Sequence, residues 1–174
     1  MLTPASTIAI IGFGALGQHL TAQLAPRGCS LRVHDSRLDA DATGADLQQR
    51  IKAAGADPAA SVAAALRGAK LVIATEGSPV LLTHGQIYLD LAASSATTRE
   101  QHARLVEAQG AHHVAAVALP GLLLAGSKAQ DLAAALKALG LHAQAVVTLP
   151  PSTSVSLLAP ATVAVAARRR GELP

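Results

Sequence analysis

Three glycines within six residues are the first feature of this chain that could do chemistry: Gly12-Phe13-Gly14-Ala15-Leu16-Gly17 fits the pattern GxGxxG. Where a strand turns into a helix, the first glycine permits the tight bend. The second lets a diphosphate approach the backbone, and the third lets helix and turn pack closely. A helix opening at Ala15 aims unpaired N–H groups and its positive dipole end at the same point, so an anion needs no basic side chain there. About 20 residues further on, Asp35 ends the next apolar run, followed by Ser36 and Arg37. A carboxylate in that place suits the two hydroxyls of an adenosine ribose and repels a 2′-phosphate. Arg37 could swing over and grip such a phosphate bidentately. The chemistry on offer is binding of NAD or NADP, with NAD favoured. Glycine-rich turns also occur in plain α/β packing. The context separates the two readings: this turn follows a strand, opens a helix and precedes an acidic residue at the expected distance.

The other reactive side chains give less. Ala74 and Thr75, at the end of a later apolar run, fall where open α/β sheets bind ligands and should line the nicotinamide ribose. Glu76 follows them near the expected cleft. His84 lies in the next loop and is read on the cofactor side, where it could exchange a proton at neutral pH, although a solvated loop histidine is the commoner case. His112 and His113 are adjacent, and neighbours on a strand point to opposite faces, which argues against a shared metal. Cys29 is the one cysteine, so no internal disulfide forms, and it reads as a small buried residue. Lys52, Lys70, Lys128 and Lys137 sit at positions expected to face solvent. Nucleophile-elbow, P-loop and Cys/His metal patterns are missing, so hydride chemistry is the enzyme class left standing.

These residues need elements to hold them. Thr7 to Ile11 is a β-branched apolar run that stops at Gly12, Ala15 to Leu24 has helical spacing, and Ser30 to His34 reads as the second strand. The alternation continues. Helices are expected at Asp46 to Ala54, at Pro58 to Leu66 with Pro58 near its start, and at Thr97 to Gln109. A further one runs from Lys128 to Leu139, capped by Ser127. Strands are expected at Lys70 to Thr75, Ile87 to Leu91, His113 to Val117, Leu122 to Ala125 and Ala143 to Thr148. Alternating strands and helices with right-handed crossovers predict an α/β Rossmann fold: a doubly wound, mainly parallel sheet with helices on both faces. The domain is expected over residues 1 to 150, with 151 to 174 as a tail.

Composition narrows the partners. At 174 residues the chain suits one domain. Phe13 and Tyr88 are its only aromatics, so stacking platforms for single-stranded nucleic acid are almost absent. The net charge of +3 resides in Arg168, Arg169 and Arg170, and without those three the 14 basic and 11 acidic residues balance. No apolar run approaches the roughly 18 residues of a membrane span, and no secretory leader is apparent, so a cytoplasmic protein is expected. Val155, Leu157, Leu158 and Val163 in the tail would expose apolar surface, which predicts a homodimer through that segment.

Over roughly residues 7 to 150 the chain resembles the NAD-binding domain of the β-hydroxyacid dehydrogenase and 6-phosphogluconate dehydrogenase superfamily. The likeness rests on IAIIGFGALGQHLTAQL, YLDLAASSATTREQHARLVEAQGAHHVAAVA and LLLAGSKAQDLAAALKALG. It implies hydride transfer to or from a small polar, hydroxyacid-type metabolite held near Ser94, Ser95 and Ala118 to Gly121. Asp90, Ser95 and Gly110-Ala111 fall on the family's substrate-recognition pattern. The family's substrate-binding hydroxyl and amide positions are Ala92 and Ala93 here, and its proline position is Ala96, so Ser94 or Ser95 would have to substitute. The family's catalytic lysine follows the last strand, where this chain reads PPSTSVSLLAPATVAV, and its large helical domain has no room after Pro150. The resemblance therefore leaves a non-catalytic dinucleotide-binding module or cofactor sensor as the alternative to an oxidoreductase.

Overall fold

The computed structural model describes residues 2, 3, 5–40, 43–79, 81–92, 94–119 and 121–147. Among these, β1 is Thr7–Ile11, α1 Ala15–Leu24, β2 Ser30–His34, α2 Gly44–Ala53, β3 Asp57–Pro58 and α3 Val62–Leu66. Then follow β4 Leu71–Ala74, β5 Ile87–Asp90, α4 Ala96–Ala108, β6 His112–Leu119, β7 Gly121–Ala125, α5 Ala129–Ala138 and β8 Ala143–Val147. The eight strands form one sheet in the order β3-β2-β1-β4-β5-β6-β7-β8. All neighbours are parallel except β6 and β7, which run antiparallel. The expected doubly wound α/β sheet is present.

Period-2 alternation sorts the side chains of each strand between two layers. Ile8 and Ile10 of β1, Leu31 and Val33 of β2 and Ile73 of β4 point into the larger core. There they meet Leu20 and Leu24 of α1, Leu47 and Ile51 of α2, and Leu132 and Leu136 of α5. Ala9, Val72, Ala74 and Tyr88 point the other way, onto Ala65 and Leu66 of α3 and Val106 of α4. Small residues on that second face let α3 settle close to β1.

Two expectations at element starts fail. The segment from Pro58 to Leu66 is not one helix: Pro58 is extended in β3, and α3 begins at Val62 because Ser61 Oγ accepts the Ala64 N–H at 3.2 Å. Ser127 does not cap α5. Lys128 occupies the N-cap position without a side-chain cap bond, and Ala129 N–H donates to Gly126 O at 3.1 Å instead. Among the described residues no helix is long and apolar enough to cross a membrane. The tail boundary at Pro150, the apolar residues Val155 to Val163, the arginine run and Ala93 lie outside the described residues.

Candidate dinucleotide site

At the C-terminal end of β1 the sheet order reverses, with β2 on one side and β4 on the other. Open α/β sheets bind their ligands in the crevice beyond the strand ends at such a switch point. The glycine turn sits at its mouth, and each glycine there meets a different demand. Gly12 adopts φ +94°, donates its N–H to His34 O at 2.8 Å, and a Cβ on it would run into Thr75 Oγ1 and stand 2.7 Å from Glu76 Cγ. A Cβ on Gly17 would overlap the Gly12 carbonyl oxygen, so α1 can pack onto the turn only with glycine there. Gly14 has ordinary extended backbone, φ −71° and ψ −168°, and an added Cβ would touch nothing within 4 Å. The protein leaves empty the space that a side chain at Gly14 would fill.

Gly14 is also the N-cap of α1, with no side-chain cap and no acidic residue in the first turn. Gln18 N–H, bonded to Gly14 O at 2.9 Å, is the first amide to enter the helical ladder. The amides of Ala15, Leu16 and Gly17 therefore remain available to an anion in that space. Phe13 takes no part in lining it: its ring is 1% exposed and belongs to the core. Its contribution is the backbone N–H.

That N–H donates to Asp35 Oδ2 at 2.7 Å. Asp35 is buried, and its other bonds come from one residue, Arg37: the backbone N–H at 3.0 Å and Nε at 2.8 Å to Oδ1, and Nη2 at 2.7 Å to Oδ2. The Arg37 guanidinium holds the carboxyl well below the usual carboxylate range, against the upward push of burial and with help from Phe13 N–H. Four bonds fill the acceptor capacity of a carboxylate. Asp35 is therefore not open to both ribose hydroxyls as expected: its side chain is 0% exposed while that of Arg37 is 53% exposed. The guanidinium presents itself to solvent at the end of β2, and Ser36 beside it is exposed on the 3-10 turn Ser36–Asp39.

Across the crevice, Thr75 braces the turn. Its N–H donates to Ile11 O at 2.9 Å, and its hydroxyl bonds to Ile11 O at 3.1 Å and Gly12 O at 3.2 Å. Ala74 is buried in the smaller core. Glu76 is exposed and lies over Gly12, and its charge adds to the stabilisation of the Arg37 cation.

The substrate-recognition pattern lands on a buried polar cluster that sequence spacing did not expose. Asp90, at the end of β5, accepts His102 Nδ1 at 2.9 Å and His113 Nε2 at 3.4 Å on Oδ2, and Ala92 N–H at 3.1 Å on Oδ1. Burial raises the Asp90 pKa, but the bonds from His113 and His102 outweigh it and the net shift is downward. The two histidines come from α4 and β6, so only the fold brings them together. A faint signal existed, since His102 shares the apolar face of α4 with Ala103 and Val106. Ser95 is the N-cap of α4, accepting Thr98 N–H at 3.1 Å, and Ser94 Oγ donates to Ala92 O at 3.4 Å. His84 is not on the cofactor side. The loop after β4 returns to the strand-start edge before β5, and His84 packs against Gly110 there, next to the Gly85 N–H to Gly110 O bond of 2.8 Å. It stands at the opposite end of the sheet from the glycine turn. Of the lysines, Lys128 lies 3.5 Å from Asp131, and Lys52, Lys70 and Lys137 are exposed.

Fold, switch-point crevice and open glycine cradle together define a dinucleotide-binding α/β protein. The chain belongs to the family described as the NAD binding domain of 6-phosphogluconate dehydrogenase, whose model matches residues 7–146. Among curated protein sequences none matches the chain. Solved structures do. A conserved hypothetical protein from Sinorhizobium meliloti superposes with a TM-score of 0.77 at 25% identity, covering 87% of this chain and 57% of its own. A reductive aminase from Aspergillus terreus, in complex with NADPH and ethyl-5-oxohexanoate, gives 0.69 at 22% identity, covering 92% and 61%. An imine reductase variant from Myxococcus stipitatus in complex with NAD+ gives 0.72 at 18% identity, covering 96% and 62%. This chain thus spans about three fifths of the length of those proteins.

Proposed function

We propose that this chain is the cofactor-binding part of an NAD(P)-dependent oxidoreductase, acting on a small polar metabolite of the hydroxyacid type. The observation that carries this reading is the empty space at Gly14, which abuts the free amides of α1. When bound, the nicotinamide ring donates or accepts the hydride. The chain's own part is to bind and orient. Backbone amides from Ala15 to Gly17 hold the diphosphate, Arg37 and Ser36 border the adenosine ribose, and Thr75 and Glu76 border the crevice on the β4 side. NAD is the preferred cofactor, since the ionised Asp35 already engages Arg37 through two side-chain bonds and a 2′-phosphate would have to compete for that guanidinium.

A second reading has its own support. Ala92 occupies a position where the family places a substrate-binding side chain, Ser95 is committed to capping α4, and none of the described lysines approaches the glycine turn as a proton donor. These features favour a dinucleotide-binding module whose catalytic groups come from elsewhere, from a partner or from a second copy docked through the tail in a cytoplasmic homodimer. Calorimetric titration with NAD, NADH, NADP and NADPH tests binding first. Turnover is then sought with 3-hydroxyacids, the matching ketoacids and a cyclic imine. Micromolar binding with hydride transfer supports the enzyme. Micromolar binding with no turnover across the panel supports the module, and no binding at millimolar nucleotide ends both readings.

A further inference from the structure

We propose that Glu76 is a second determinant of the cofactor preference of this site, beside the Asp35–Arg37 pair, by placing a further negative charge across the glycine turn from Arg37. The inference rests on the cofactor reading above and deepens it. Three charges meet at the mouth of the crevice. Asp35 is buried beneath the turn, Arg37 covers it, and Glu76 reaches over Gly12 from the β4 side, with its Cγ 2.7 Å and its Cδ 3.0 Å from where a Gly12 Cβ would stand. The backbone at Glu76 is not free to carry the carboxylate elsewhere. Thr75 before it is bonded through N–H and hydroxyl to Ile11 and Gly12, and Gly77 after it turns the chain at φ +79°.

One cation therefore serves two carboxylates, and the cluster carries a net charge of about −1. A neutral ribose adds no charge to this cluster. A 2′-phosphate adds about −2 and must draw Arg37 partly off Asp35, whose bidentate pairing uses Nε and Nη2. Asp35 alone would leave the pair neutral. The surplus charge comes from Glu76, and it adds to the discrimination that the Asp35–Arg37 pairing already imposes. Removing it should change the ratio of the two affinities and not merely their size, because the diphosphate common to NAD and NADP feels Glu76 equally in both.

The test is calorimetric titration of the full chain and of its Glu76→Gln and Glu76→Asp variants with NADP+ and NAD+, in low-salt and in roughly 0.5 M salt buffer. Near-UV and far-UV spectra check the fold, which an exposed side chain should not disturb. Glu76→Gln is expected to tighten NADP+ about 3- to 10-fold relative to NAD+, as two like charges several ångströms apart and screened by bulk water imply. The gain should shrink in high salt, where the Debye length falls to a few ångströms. Glu76→Asp keeps the charge and should keep most of the wild-type ratio. Equal tightening of both nucleotides would make Glu76 a brake on the diphosphate alone and overturn the proposal. Equal weakening would make it a hydroxyl acceptor for ribose and overturn it too. If the wild type binds neither nucleotide, the cofactor reading itself falls and takes the proposal with it.

Discussion

The Asp35 carboxylate accepts the Phe13 N–H at 2.7 Å across 22 residues of sequence, tying the end of β2 to the middle of the glycine turn. One buried side chain thereby fixes the shape of the turn and the position of Arg37. Asp35→Ala should lose both, leaving the Phe13 amide buried without an acceptor. Hydrogen bonds to a charged group contribute about 1.5–3 kcal/mol each. Urea unfolding should therefore show a loss of at least about 2 kcal/mol, and dinucleotide affinity should drop by tenfold or more. Asp35→Asn keeps one acceptor and should fall between.

Gly14 and Gly17 lie three residues apart and should fail in opposite ways. Gly14→Val places its side chain in open space, so the melting temperature should stay within a few degrees while dinucleotide binding in calorimetry disappears. Gly17→Ala drives a methyl into the Gly12 carbonyl oxygen, so α1 must shift and the protein should lose about 1–3 kcal/mol before any ligand is added. Normal binding by the Gly14 variant would mean that the diphosphate is not held at this turn.

Acid should destabilise the protein through Asp35. Its folded pKa lies below the unfolded value near 3.9, so the folded state binds fewer protons. The stabilisation is complete above about pH 5 and is lost as the pH falls through 4 toward the lower folded value. Asp90 shifts in the same direction and adds to the same limb. The urea midpoint should accordingly drop between pH 5 and 3, and Asp35→Asn should make that slope shallower.

Truncating Asp90 removes the one carboxylate shared by His102 and His113. Asp90→Ala should cost about 2–4 kcal/mol, because three buried donors lose the acceptor they share. It should also release the Ala92 N–H that holds the loop after β5. Thermal unfolding measures the first effect, and amide exchange at Ala92 the second.

Cys29 is 7% exposed, and burial pushes its thiol up from the ordinary value. At pH 8 the native protein should react with a thiol-specific disulfide reagent far more slowly than the urea-unfolded chain. Reaction at the unfolded rate would place the sulfur at the surface.

The strand–turn–helix–strand unit from Thr7 to His34 is legible in the sequence to the residue, because β-branched runs, helical spacing and Gly12, Pro26 and Gly28 punctuate it without conflict. Pro58 is ambiguous in the sequence because a proline opens a helix and ends an edge strand equally well. Ser61 broke the tie through a bond only the folded loop allows. Relations between elements were out of reach. The saturation of Asp35 by Arg37 depends on a rotamer, the meeting of Asp90, His102 and His113 depends on packing α4 against β5 and β6, and the position of His84 depends on which end of the sheet its loop reaches.

The far margin of the sheet ends on a proline. At β3, Val33 lies opposite Pro58, and it is the Ala59 N–H that donates to Val33 O at 2.7 Å, so the nitrogen of Pro58 faces away from β2. An incoming chain would find two residues of strand and no donor at the outward position. The parallel sheet stops growing at β3, and a partner that joins this protein must do so through its other margin or its faces, not by extending the ladder beyond Pro58.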